Sequence, residues 1–361
     1  PVRQRDLGVR VASLEGFQDP LDPASPPRFR LLGSSRPYRH GREESSTAVP
    51  RSLRGGAGEG PATARNKIEQ NTRSDARVCG LPLFDPGGEA VRFGLAQIRY
   101  RWGESRSWEE GTTDNLEKAV EFIRRAGREG AAVVAFSEYF LGNVKPMPIP
   151  CPITDRLSQA AREANVYVIC GATRELVPKP KGSRKAPKPR ICSFVIAPNG
   201  KIISKHYKQV FYPTERGLYD PGPNRPTTIH GVKVGILGGY ELLVPEIARK
   251  LANAGAEILV VQMVASSDMP YMLETMQSAV RARTMELLMP VLAVGQYGEF
   301  YGGIMMQGGS IAYVPELGKF QGKWAPNGAR LVTRMGEYEN LLPVDIAPET
   351  AREVRKKFSW W

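Results

Sequence analysis

At 361 residues, with 41% hydrophobic and 24% charged residues, the chain has a globular composition and can bury a sizeable core in one large or two ordinary domains. No apolar run approaches the roughly 18 to 20 residues that cross a bilayer, and the first residues lack the apolar core of a secretion signal, so a soluble, cytoplasmic protein without a membrane partner is expected. The formal charge of +13 invites a nucleic-acid reading, but part of the excess sits in KPKGSRKAPKPR (179–190), a Pro-rich run without aromatic residues to stack on bases. That run reads more simply as a solvated hairpin loop, and no nucleic-acid partner is expected.

Residues 1 to 90 differ from the rest. Arginine is abundant, Lys67 is the only lysine, Pro, Ser and Gly are frequent, and no apolar periodicity persists, which predicts a disordered extension. An Arg- and Ser-rich leader resembles a transit peptide, but Asp6, Glu15, Asp19, Asp22, Glu43 and Glu44 fit that poorly. An extension without function, read through from upstream, is the simpler alternative.

From Val91 to residue 361 the texture is that of one folded domain. VRFGLAQIRY alternates like a strand, and TTDNLEKAVEFIRRAGREG places Leu116, Ala119, Val120, Ile123 and Ala126 at helical spacing, with Thr112 or Thr113 as cap and Gly127 or Gly130 as stop. AAVVAFSEYF reads as a buried strand, ITDRLSQAAREAN as a helix, VYVICGATREL as a strand, and ICSFVIAPNGKIISKHYK as two strands joined at Asn199-Gly200. VKVGIL (strand), PEIARKLANAG (helix), EILVVQM (strand), a long helix through PYMLETMQSAVRARTMELL and VLAVGQYG (strand) follow, and GGSIAYVP, LLPVDI and a helix near PETAREVRKKF close the chain. Strands alternating with helices and interrupted by hairpins imply a single α/β domain whose mixed sheets are covered by helices.

Four scattered cysteines (Cys79, Cys151, Cys170, Cys192) and three scattered histidines (His40, His206, His230) suggest neither a disulfide framework nor a metal cage. Glu138 ends an apolar strand, where desolvation would raise its pKa and suit it to act as a general base; a strand-end glutamate turned to solvent is the equal alternative. Lys208 follows IISKHY and would stabilise an oxyanion, although singly a surface lysine is the better reading, and Glu215 in FYPTERG carries the same ambiguity. Ser266, Ser267 and Asp268 either contact a polar substrate or cap the following helix, the second being favoured. Arg281 and Arg283 read as ion-pair residues of that helix, and the Met-rich segments as core or dimer packing.

The segment LGGYELLVPE (237–246) reads as strand, tight turn and helix, the arrangement that displays a reactive side chain at the end of a buried strand. Its tip holds Gly238 and Gly239, which supply neither nucleophile nor base. With FSEYF, HYKQVFYPTERGLYDPG, RARTMELLMPVLAVGQYG and GGSIAYVPELG in the same order, the chain over residues 91 to about 358 resembles the nitrilase, or carbon-nitrogen hydrolase, superfamily. The resemblance implies a four-layer α-β-β-α sandwich, assembly as dimers or larger homo-oligomers, a small-molecule amide or nitrile as substrate, and no cofactor. It also implies Glu138 as general base, Lys208 as oxyanion-stabilising lysine, Glu215 as its orienting partner, and Tyr240, Glu241 and Ser266 as substrate contacts. The same register puts the family's cysteine nucleophile at Gly239. A carbon-nitrogen hydrolase scaffold, inactive or severely impaired as it stands, is therefore expected, and a noncatalytic binding or assembly protein is the alternative. Glycine at the turn suggests a positive φ there.

Overall fold

The computed structural model describes residues 89–358 apart from 102–107, 143, 180, 183–186 and 300–303. The predicted extension, up to residue 88, and Cys79 and His40 lie outside the described residues. Two six-stranded sheets form the centre. The first has the order β15 (Asn340–Ile346), β1 (Val91–Gln97), β3 (Val133–Phe136), β4 (Tyr167–Glu175), β5 (Arg190–Ile196) and β6 (Ile202–Tyr207). The second runs β14 (Lys323–Arg334), β13 (Ile311–Phe320), β10 (Val291–Gly295), β9 (Ile258–Met263), β8 (Val232–Gly238) and β7 (Thr227–Ile229). In each, the central strands are parallel and the outer ones antiparallel. A small third sheet joins β2 (Arg99–Arg101), β11 (Tyr297–Glu299) and β12 (Met305–Gln307).

The period of two along each strand decides the layers. Phe93 and Leu95 of β1 meet Val234 and Ile236 of β8, Val260 of β9 and Val294 of β10 in the core between the sheets. Their alternate neighbours Ala96 and Phe136 face α1 (Trp108–Arg128) and α2 (Pro152–Ala164), whereas Leu237 and Val261 face α3 (Pro245–Asn253) and α4 (Met272–Leu287). The result is a four-layer α-β-β-α sandwich. Strands covered on both faces read as continuous apolar runs, which is why β1, β8 and β9 are legible in the sequence. A last helix, α5 (Pro348–Phe358), packs Ala351 and Val354 against the second half.

Several expectations need correction. α1 begins at Trp108, so Thr112 and Thr113 lie inside it, and of the two glycines Gly130 is the stop, at φ 74°. The strand read over AAVVAFSEYF ends at Phe136, and Glu138 opens a turn. β14 was not anticipated because Pro326 and Asn327-Gly328 mimic a loop. The hairpin turn lies instead at Gln321-Gly322, both at positive φ, and the β13–β14 pairing absorbs Asn327-Gly328 through a register shift at Glu316/Leu317. The basic run 179–190, part of which lies outside the described residues, follows β4 and ends at Arg190, the first residue of the antiparallel β5.

One glycine determines where the site can form. A Cβ on Gly171 of β4 would lie 1.6 Å from the Ser137 carbonyl oxygen, so only glycine allows β4 to pass so close to the residue before Glu138. The Tyr139 amide completes the crossing by donating to the Ala172 carbonyl at 2.9 Å.

Candidate functional site

Three loops at the strand ends bring the predicted residues together. Glu138 leaves β3, Lys208 follows β6, and Glu215 ends a short 3-10 turn, Pro213–Glu215, in which Pro213 sets the first φ. The Lys208 ammonium donates to Glu138 Oε1 at 2.8 Å and pairs with Glu215 Oε2 at 2.8 Å. Its side chain is 4% exposed and that of Glu138 3%. The other Glu138 oxygen accepts the Gly239 amide at 3.1 Å. One buried carboxylate thus ties the lysine to the turn after β8.

Burial is the largest influence on Glu138 and pushes its pKa up; Lys208 opposes that and Glu215 adds to it. Burial alone would depress Lys208, but the charges of Glu138 and Glu215, with their hydrogen bonds, outweigh it and hold the ammonium above the ordinary lysine value. Two carboxylates around one cation leave an excess of negative charge, so Glu138 retains affinity for a proton while Lys208 stays charged. That combination suits proton abstraction beside a fixed positive charge.

The turn after β8 is a 3-10 segment, Gly239–Leu243, leading into α3 through Pro245. Glu241, 1% exposed, folds back so that Oε2 accepts the Gly238 amide at 2.8 Å and Oε1 the Gln209 amide at 2.7 Å. Both oxygens are engaged by backbone, so Glu241 holds the turn. Gly239 is not in the left-handed region, contrary to expectation. A Cβ there would lie 3.2 Å from the Gln262 carbonyl oxygen, 3.3 Å from the Val264 nitrogen and 3.4 Å from Met276 Cε, so a side chain needs only a few tenths of an ångström of adjustment.

Ser266 does not cap α4. Its hydroxyl donates to Asp268, its backbone bridges Met306, and α4 starts later, at Met272, without a side-chain cap. Ser267 Oγ accepts the Met305 amide at 3.1 Å, so this segment anchors β12. Arg283 pairs with Glu286 at 2.7 Å, as an ion-pair residue should. Tyr240 packs edge-on against Tyr212, ring centroids 5.4 Å apart.

Two contributors were not anticipated. Tyr139, at φ 56°, directs its hydroxyl to Glu215 Oε1 at 2.8 Å, and the Tyr212 amide donates to Oε2 at 2.8 Å, so Glu215 is held from both sides. A bulky residue in the left-handed region costs energy that the surroundings must repay, and no sequence pattern announces it. Gln262 on β9 accepts from Ser193 Oγ at 2.5 Å and donates to the Cys170 carbonyl at 3.0 Å, linking the two sheets beneath the turn. A polar residue inside the apolar run ILVVQM was the available signal.

The described cysteines stand apart from this group. Cys170 and Cys192 pack in the core under α1 and α2, where burial pushes both thiols up, and Cys151 precedes α2. His206 is enclosed by Asn224, Ser204 and Thr227. Among the described residues no three His, Cys, Asp or Glu side chains are grouped to hold a metal ion.

Glu241 and His206 predict a pH signature. Burial, opposed by its two backbone donors, lifts Glu241 from 4.5 to about 7. Its contribution to stability is therefore full below pH 4.5 and lost as pH rises through about 7. Burial lowers His206 from 6.5 to about 4, so its contribution is full above pH 6.5 and lost as pH falls through about 4. The slopes oppose each other. Glu241→Gln should remove the Glu241 slope and leave that of His206, so that urea unfolding shows the variant losing about 3 kcal/mol more than the parent between pH 7 and 4.5.

The carbon-nitrogen hydrolase family model matches residues 92–356, most of the chain and all of the elements described here except the first residue of β1 and the last two of α5. The chain belongs to that family. This family member is 29% identical over 233 residues to an (R)-stereoselective amidase of Pseudomonas sp, covering 62% of this chain and 78% of the relative. It is 29% identical over 165 residues to an omega-amidase of Xenopus laevis, covering 41% of this chain and 57% of that protein, so the match spans little more than half of that relative. Its fold is similar to that of a Saccharomyces cerevisiae member of the nitrilase superfamily, with a TM-score of 0.59, 22% identity and coverage of 75% and 95%. An amidase from Nesterenkonia sp. is similar in fold at a TM-score of 0.55, 20% identity and coverage of 75% and 95%. No described helix of this family member is long and apolar enough to cross a membrane.

Proposed function

We propose that Glu138, Lys208, Glu215 and the Gly239-Tyr240 turn form a site for a small amide, carbamoyl compound or nitrile in which Gly239 occupies the nucleophile position. The protein binds such a molecule but does not turn it over through a covalent intermediate. The observation that carries this reading is the convergence of Lys208 Nζ and the Gly239 amide on the two oxygens of Glu138, at 2.8 and 3.1 Å. In a thiol-bearing relative the acid at Glu138 takes the proton of the nucleophile, and the ammonium with the Tyr240 amide stabilises the oxyanion. Here the acid and the cation are present and the turn offers no sulfur. The residues after it still suit a carbonyl bound toward Lys208.

The test is direct. Titration calorimetry of this protein with a panel of short amides should detect binding, while an ammonia assay on the same panel stays at background. Turnover at the rate of a thiol amidase would sink the reading. A noncatalytic assembly role on the same fold is the second reading, favoured by the exposed Tyr271 and Met285 at and within α4, which also suit pairing of two copies beside the turn.

A further inference from the structure

Between the start of β8, the end of α3 and the segment before β7 lies a concavity of about 560 Å³ lined by Gln209, Asn224, Arg225, Thr228, Lys233 and Lys250. Its size falls in the range of small-molecule sites. Three cations enter it and no acid lines it. Two acids touch the backbone of lining residues from outside and both are engaged: Glu257 accepts the Lys233 amide and is held by Arg352, and Glu241 accepts the Gln209 and Gly238 amides.

The walls are pre-formed. Pro223 and Pro226 fix φ on either side of Arg225, and the segment is pinned by the Tyr207 amide donating to the Pro223 carbonyl at 3.1 Å. Asn224, 6% exposed, donates to the Ile236 carbonyl at 2.8 Å and faces His206 Nδ1 at 3.2 Å. Gln209 donates to the Gly222 carbonyl at 3.0 Å and accepts Lys250 Nζ at 3.4 Å, which sets one cation at the rim. The C-terminal carbonyls of α3 that would repel an anion are already occupied: the Ala252 carbonyl accepts from Gly255 and Arg355. Cations converging on a concave, rigid wall concentrate positive potential that a flat basic surface spreads out.

We propose that this cavity binds a small soluble polyanion: a phosphate-bearing molecule with at least two negative charges, whose apolar part rests on Pro223, Pro226 and Ala254. The volume exceeds that of a bare phosphate, and the basic groups come from three separate elements, as encirclement of a compact multivalent anion requires. The site does not depend on the amide reading, because none of its cations belongs to the Glu138 group.

The experiment is titration calorimetry of the full chain with inorganic pyrophosphate at two salt concentrations. One-to-one, salt-sensitive binding is expected, weakened at least about tenfold in the K233E/K250E variant. A254W, which fills the cavity without changing charge, should weaken it as well, and K179E/K181E, in the β4–β5 loop, should leave it unchanged. Binding of several anions per chain, equal loss in the loop variant, indifference to A254W, or association seen only with phosphatidylglycerol vesicles in a sedimentation arm would overturn the proposal.

Discussion

Gly239→Cys is expected to release ammonia from at least one short amide in the panel, at a rate on the order of a millionfold above the parent if the remaining groups work as a unit. The backbone permits the change: Gly239 has no positive φ, and an added Cβ meets Gln262 O, Val264 N and Met276 Cε at 3.2, 3.3 and 3.4 Å. Its amide already contacts Glu138 at 3.1 Å, so the thiol enters beside a buried carboxylate whose proton affinity burial has raised. Lys208, charged and fixed by two acids, stands ready for the oxyanion. The chemistry is then thiolate attack on the amide carbon, loss of ammonia, and hydrolysis of the acyl enzyme. Adding Glu138→Gln to the cysteine variant should return ammonia release to background. Silence of the cysteine variant over the whole panel, with the fold intact by circular dichroism, would favour the assembly role.

Lys208→Met should lower stability at pH 7 by about 3–5 kcal/mol, because it leaves two enclosed carboxylates without their shared counter-ion. For a domain of this size that is a fall in melting temperature on the order of 10 °C. The mechanism has a pH signature that simple loss of packing lacks. Without the ammonium, the folded-state pKa of Glu138, already raised, rises further, so the missing stability is recovered as pH falls and the carboxylates take up protons. Glu138→Gln in the same background should restore part of it at pH 7. Melting curves that match the parent from pH 5 to 8 would show that Glu138 and Glu215 do not depend on the lysine.

Much of this protein is legible in one dimension. Strands buried on both faces announce themselves as apolar runs, and the helical spacing of Ala119, Val120, Ile123 and Ala126 reappears as the buried face of α1. Glu138, Lys208 and Glu215 are ambiguous singly and stand out only through the family resemblance of the segments around them. Less was legible where local signals conflict with tertiary context. Asn327-Gly328 looks like a turn and lies within β14, and no local signal shows that Glu241 folds back to brace the backbone of its own turn. Tyr139 carries no mark of its left-handed conformation.

The order of the central strands and the helices, the α/β class and the lack of a thiol in the turn after β8 follow from the amino-acid sequence alone, since periodicity and residue identity are local properties. Which polar groups meet is a different matter. Lys208 lies 70 residues from Glu138 and Gly239 lies 101: the first sheet sets β6 and β3 in one layer, and burying the apolar faces of the two sheets against each other brings the ends of β3 and β8 together. Burial and mutual charge then set their proton affinities, and both are properties of neighbours in space rather than in sequence.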